Sequence, residues 1–471
     1  MRAFWARTGL CTIAALFGCA KYHPRPLNPV QLEQQYRAHA LDDAGLKAFI
    51  TENFNGETVA WPPKKLDLRA LTLIGYYYSA DLNVARGQIA LAEAGILTAR
   101  ARVNPSLGVD GGYSKTPESP VAYSILPSFT IETAGKRGYR ILQAEKQKEA
   151  SRLGLLEAGW LLRSRVRVAL GNYLLAEARR EILQQEVQTR TEIVEMLDKR
   201  LAAGAASRPE LDVFRVDRIT AQGALQAVEG EVAQTRVTLA NTVGVPARTF
   251  DGVAIDDPSF AVPLPERELA LKQVVREGLV HRADVRRTLA EYAAADAALR
   301  LEVARQYPDI RLTPSYVFEE GFPRYTLGTV IGSLPIFHRS QGPIAQAEAQ
   351  RQQVEARFNA LQAQAISEME RALVQYHSAL TEYQDASTRL VTVQRDREDA
   401  ARKALVLGEG DRLSVATAVL QTLAARRTRL DTLGRVQTAR AALEDAVQQP
   451  LGPIAAILEP ALLSPLQKGK P

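Results

Sequence analysis

The stretch Ile366-Ser-Glu-Met369-Glu-Arg-Ala-Leu373-Val-Gln-Tyr376-His-Ser-Ala-Leu380-Thr-Glu-Tyr383 lies within a longer run, Ile344 to Leu407, that holds neither Gly nor Pro. Those two residues punctuate helices most strongly. Ile366, Met369, Leu373, Tyr376, Leu380 and Tyr383 are spaced 3, 4, 3, 4 and 3 apart, and Leu390 extends the series. This is the narrow seam of a coiled coil, not the wider stripe of an ordinary globular helix. Ala345, Ala347, Ala349, Ala356, Ala360 and Ala363 offer small contacts in the first half of the run. As one helix the run spans roughly 95 Å at about 1.5 Å per residue. The usual globular helix has about 11–12 residues. A helix this long must pack on other long helices. A water-soluble coiled coil would satisfy this stretch by itself, so the rest of the chain has to decide.

The 471 residues are 24% charged and 46% hydrophobic, with a formal net charge of +6. The chain is too long for one small core and too apolar to be disordered. Lys and Arg are intermixed with Glu and Asp along helices, which reads as a solvated surface and not as a nucleic-acid patch. Beyond the N-terminus no run of about 18 apolar residues predicts a spanning helix.

The N-terminus reads as a secretory signal. Arg2 and Arg7 form a basic region, Gly9 to Phe17 an apolar one, and Leu16-Phe17-Gly18-Cys19 resembles a bacterial lipobox. Cys19 is the expected lipidation site and first mature residue. Ala20 follows it, where Asp would retain a lipoprotein at the inner membrane. The expected address is therefore the Gram-negative outer membrane, lipid-anchored, with most of the chain in the periplasm. Loss of residues 1–18 also removes Cys11, so a disulfide within the mature chain is excluded.

A tandem repeat organises the remainder. Asp81 and Asp284 each stand at the head of a helical pattern, Pro105 and Pro308 each follow its end, and Ala144-Glu145 recurs as Ala347-Glu348, always 203 residues on. Gly204 recurs as Gly408. The predicted organisation is a signal peptide at 1–18, a linker at 19–65 with a short helix near Pro29–Ala40, and repeat 1 at 66–250. A linker at 251–265, repeat 2 at 266–455 and a tail at 456–471 complete it. Each repeat reads as helix, two strands and two long helices.

The strands alternate with period 2. Leu107, Val109 and Tyr113 oppose Ser106, Gly108 and Asp110; Val121, Tyr123, Ile125 and Phe129 oppose Ala122, Ser124, Ser128 and Thr130. In repeat 2, Ile310, Leu312, Tyr316 and Phe318 oppose Arg311, Thr313 and Ser315, and Tyr325, Leu327 and Ile331 oppose Thr326 and Gly328. Segments of about ten residues, apolar on one face and small or polar on the other, suit tilted strands of a membrane barrel. Open sheet edges cannot face lipid, and four strands cannot close a barrel, so several copies must pool their strands. Two copies would give about eight strands and three about twelve; the residues alone leave both open.

Gly204 and Gly408 end long helices, and Ser207 with Glu210, and Asp411, open the next ones as N-caps. These two turns are expected to form the far tips of the assembly. The tip residues expected to dock a partner are Arg200, Leu201, Gly204, Ser207, Gly408 and Leu413.

With these residues in view the chain resembles the outer-membrane efflux protein family, the TolC-like ducts, in its lipoprotein form. The resemblance is carried by Cys19 with Tyr22 and Pro24, His281-Arg-Ala-Asp284-Val285, Ala304-Arg-Gln-Tyr307-Pro308-Asp309-Ile310, Leu334-Pro335-Ile336-Phe337 and the two Gly turns. Trp61-Pro62-Pro63 and Ala85-Arg86 look most like the cation-efflux branch. The resemblance implies a mainly α fold with a small membrane β part: a long α-helical coiled-coil barrel plus a shared transmembrane β-barrel, built from a tandem repeat. It implies a homotrimer with twelve strands that exports small molecules or metal cations passively. It also implies docking by the tips to a periplasmic adaptor that leads to an inner-membrane pump. Acidic residues often narrow the pore after the second tip in such proteins; here Ser414 and Thr417 stand there, so Glu409 and Asp411 are the nearest pore-lining candidates.

No catalytic residues, cofactor or metal site are expected. The five His form no HExxH set, and there is no Walker loop or GxSxG elbow. The competing expectation is a lipid-anchored periplasmic coiled-coil scaffold.

Overall fold

The computed structural model describes residues 21–53, 61–113, 121–264, 271–319, 321–332, 336–451 and 462. Cys19, the loop around Lys115–Pro120, Leu334-Pro335 and all of the tail but Leu462 lie outside the described residues. The chain divides into two compact units, residues 1–40 and 41–471. In the first, helix α1 (Pro29–Arg37) starts where the Asn28 side chain accepts from the backbone N–H of Val30 and Gln31.

The second unit holds everything else. Helices α2 (Ala44–Asn53), α3 (Leu68–Tyr78) and α4 (Ala80–Arg100) lead to strands β2 (Ser106–Tyr113) and β3 (Val121–Ile131). Then α5 (Lys136–Ala202) and α6 (Arg208–Val243) form the first long hairpin. A short parallel pair, β1 (Lys65–Leu66) with β4 (Ala254–Ile255), ties the segment before α3 to the one after α6. Repeat 2 follows with α7 (Leu271–His281), α8 (Ala283–Ala304), β5 (Ile310–Glu319) and β6 (Phe322–Ile331). Its long helix runs as α9 (Gln341–Asp385), a π-helical turn (Ala386–Leu390) and α10 (Val391–Val406), and α11 (Arg412–Val447) returns from the tip.

The seam finds its partner in α11. Met369, Leu373, Tyr376 and Leu380 are buried against Val436, Ala439 and Leu443. Leu390 does not continue it: that residue is 37% exposed, and Val391 is buried instead at 5%. The π turn is the reason. It places one extra residue in a turn, so the inward position moves on by one.

Around α5 the helices form two rows. Near the sheet the order is α4, α5, α8, α9, and toward the tips it is α6, α5, α11, α10. The strands follow the order β2-β3-β5-β6, all antiparallel. Register places Val109 beside Ile125, Ile125 beside Tyr316 and Tyr316 beside Tyr325, so the apolar residues of all four strands share one face. Ser128 stands beside Ser106, and Thr313 beside Gly328, on the other face.

Polar side chains fasten the joints. At the head of α5, Arg137 and Arg140 donate to the backbone carbonyls of Ala99, Arg100 and Ala101, satisfying groups that the end of α4 leaves free. Between the repeats lies a buried ionic cluster. Glu444, 1% exposed, accepts from Arg163 at 3.0 Å and Arg440 at 3.2 Å, and also from Arg167. Beside it Asp445 accepts from Trp160 Nε1 and Ser164 Oγ. Burial pushes the Asp445 carboxyl above the usual carboxylate range against those hydrogen bonds.

Two outcomes follow from this architecture. Glu444→Gln leaves three guanidinium groups around a neutral amide, and should cost about 3–5 kcal/mol, read as a lowered midpoint in thermal unfolding of the purified protein. Ile125→Arg puts charge on the apolar face and should cost about 2–4 kcal/mol near a bilayer midplane. Ser128→Arg, on the polar face, should leave the folding yield in vesicles close to wild type. Equal yields for the two would contradict a membrane sheet.

Candidate functional site: the paired helical tips

The two hairpins end alike. Ala203 caps α5, and Gly204 follows at φ 72°. The N–H of Gly204 donates to Leu201 O, and that of Ala205 to Arg200 O at 2.8 Å. In the second hairpin Gly408 stands at φ 77°, and the N–H of Glu409 donates to Ala404 O at 2.9 Å. Both are Schellman-type endings, which need a left-handed residue that glycine supplies without strain. A Cβ on either glycine would meet no neighbour, so the backbone angle alone demands it.

The returning helices start on side-chain caps. Ser207 Oγ accepts from the Glu210 N–H at 3.3 Å, and Asp411 Oδ1 accepts from the Ser414 N–H at 2.8 Å. Asp411 has a second role. Its Oδ2 accepts from Arg200 Nη2 at 2.8 Å, which joins the tip of repeat 2 to that of repeat 1. The Arg200 hydrogen bond, with the Ser414 N–H, holds the Asp411 carboxyl below the usual range.

An apolar core lies behind this ion pair. Ile193, Val194, Leu197, Leu211 and Ala416 are buried together, and Leu201, Phe214 and Leu413 pack on them half-buried. The structure thus brings Arg200, Leu201, Asp411 and Leu413 into one joint between hairpins, while Gly204, Ser207, Gly408 and Glu409 remain exposed on its outside. Of the two pore-lining candidates, Asp411 is engaged by its cap and its arginine, and Glu409 is left facing solvent.

Sequence reasoning passed over Val406 and Leu407, which are 86% and 71% exposed just before Gly408. The signal was present: two large apolar residues end a helix whose seam does not reach them. It also passed over a cleft of about 640 Å³ where α5, α10 and α11 converge. Glu192, Glu195 and Lys199 of α5 line it with Arg402 of α10 and Arg412, Val415 and Val419 of α11. Among the described residues no group of three or more His, Cys, Asp or Glu is placed to hold a metal ion.

Known proteins share this design. The family model described as outer membrane efflux protein matches residues 78–245. The cobalt-zinc-cadmium resistance protein CzcC of Cupriavidus metallidurans is 25% identical over 299 residues, which cover 63% of this chain and 69% of that protein. The outer membrane protein VceC of Vibrio cholerae has the same fold, with a TM-score of 0.64 at 20% identity over 81% of this chain and 95% of its own. CusC, whose structures concern transmembrane channel formation, gives 0.64 at 20% identity over 83% and 94%. In fold and in the sequence of residues 78–245, the chain is similar to outer membrane efflux proteins.

Proposed function

We propose that three copies of this chain close into one duct. A twelve-stranded barrel would lie in the outer membrane and a long α-helical barrel in the periplasm. One observation carries this reading: the chain has unpaired edges at the same two sides in every layer. β2, α4 and α6, all from repeat 1, end one side, and β6, α9 and α10, all from repeat 2, end the other. Their exposed surfaces are complementary in size. On α4, Val84, Leu91 and Leu97 are 64%, 74% and 71% exposed, while α9 presents exposed Ala345, Ala349, Ala356, Ala360 and Ala363. On α6, Val213, Val216 and Ile219 lie open. Such head-to-tail edges close into a ring when the rotation allows. A ring is what the sheet needs in lipid, where each unpaired backbone group costs several kcal/mol.

The duct is passive. It receives its cargo from a periplasmic adaptor that docks on the tips and leads to an inner-membrane pump. The resistance role in the name of CzcC supports metal cations as cargo, within a family reading of small molecules generally. Cys19 carries the lipid anchor. The alternative of a lipid-anchored scaffold gives no use to a sheet with one apolar face and two open edges. Light scattering of the detergent-purified mature chain tests the reading directly. A mass of three chains is expected; a monomer would sink it. Palmitate labelling should disappear in Cys19→Ser while the protein still reaches the membrane.

Docking should be separable from assembly. Val406→Glu and Leu407→Glu should leave the trimer intact and abolish crosslinking from position 408 to the adaptor. Leu201→Glu and Leu413→Glu, in the shared core of the tip, should instead loosen the tip itself. Gly204→Ala and Gly408→Ala should each cost about 1 kcal/mol through the positive φ. The Arg200–Asp411 link should depend on pH in one direction. The folded carboxyl lies below its unfolded value, so its contribution is full above about pH 4 and is lost as the pH falls through the lowered folded value. Conductance through the tip should therefore be constant from neutral to mildly acid pH and change only below that.

A further inference from the structure

We infer that Arg311 sets the charge preference of the duct where the sheet meets the helices, favouring anionic over cationic solutes at that level, so that a free metal cation would pass it against this preference. The inference rests on the ring reading above, in which the polar face of the sheet lines the lumen.

Rows across the sheet follow from its register. Asp110 stands beside Ser124, Ser124 beside Val317 and Val317 beside Arg324, so this row holds one acid and one arginine. One row nearer the helices come Leu126, Ser315 and Thr326, and below them Ser106, Ser128, Thr313 and Gly328, none of them charged. The last row on this face holds Thr130, Arg311 and Val330. Its one charge is the guanidinium of Arg311, which makes no ion pair or hydrogen bond among the described residues.

The surroundings leave that charge uncompensated. Arg311 lines a cleft of about 890 Å³ together with Lys136, Arg305, Asp309 and His338. Asp309 is the one acid lining it among the described residues, and it is already engaged. It accepts from Lys136 Nζ at 2.6 Å and from the Thr133 N–H at 3.0 Å. Arg305 is paired with Glu302. Three copies would set three unpaired guanidinium groups around one throat, with uncharged residues above them. Like charges in a confined lumen raise the local concentration of counter-ions.

The probe is a thiol one row away, Thr313→Cys, in the assembled protein. Its reaction rates with an anionic and a cationic methanethiosulfonate reagent of similar size are read by mass spectrometry of the labelled peptide. This needs no open tip, because the reagents enter by the extracellular mouth. With Arg311 present the anionic reagent should be favoured. Arg311→Gln should lower the anionic-to-cationic rate ratio by roughly threefold to tenfold. Arg324→Gln, in the balanced row, should change it less. If Thr313→Cys does not assemble, Ser128→Cys reports from the same row. A ratio unchanged by Arg311→Gln, with the thiol freely labelled, would overturn the assignment and leave the duct standing. A thiol that neither reagent reaches would show that the polar face does not line a lumen, and the ring reading would fail with it.

Discussion

A backbone N–H or C=O left without a partner at an open sheet edge is the constraint on which this molecule depends. The four strands satisfy it along three ladders and violate it at β2 and β6. The helices follow the same geometry, since they leave the sheet in strand order and share its two open sides. The tandem repeat makes the arrangement simple. Repeat 1 supplies one edge and repeat 2 the other, so one chain carries both halves of the contact that the proposed ring would close. Apolar side chains on α4 and α6 stay exposed for the same reason, and alone they would be a liability to solubility.

Within the chain, polar groups decide how the repeats meet. Apolar packing along the seam holds α9 to α11, but it is indifferent to small slides. The cluster at Glu444 is not. Three guanidinium groups around one carboxylate, with Asp445 tied to Trp160 and Ser164, admit only one register between α5 and α11. A buried ionic group contributes little net stability and much penalty for misplacement. At the tips the Arg200–Asp411 pair links the same two repeats, but in water, where such a pair contributes little. The ionic contacts between the repeats are therefore buried at mid-length of α5 and exposed at its far end.

Much of this was legible from residues alone because it is local. Gly204 and Gly408 are stops that only a left-handed residue can make, and the alternation of Leu107, Val109 and Ile125 against Ser106, Gly108 and Ser124 needs no neighbour to be read. What escaped notice is non-local. That Leu201 and Leu413 pack half-buried in a joint between the hairpins could not be read, because nothing in the sequence says that the two hairpins pack on each other. Arg163 and Glu444, 281 residues apart, carry no pattern that joins them. Leu390 was misplaced for another reason: a 3-4 spacing assumes constant pitch, and the π turn at Ala386–Leu390 changes it.

That turn makes the long helix of repeat 2 two pieces with independent phase. Above it, the inward stripe is set by Met369, Leu373, Tyr376 and Leu380; below it, by Val391. Removing one residue there would restore even pitch and rotate α10 by about 100°, turning Val406 and Leu407 to another side. Single insertions or deletions at this place would steer the tip while the sheet keeps its register.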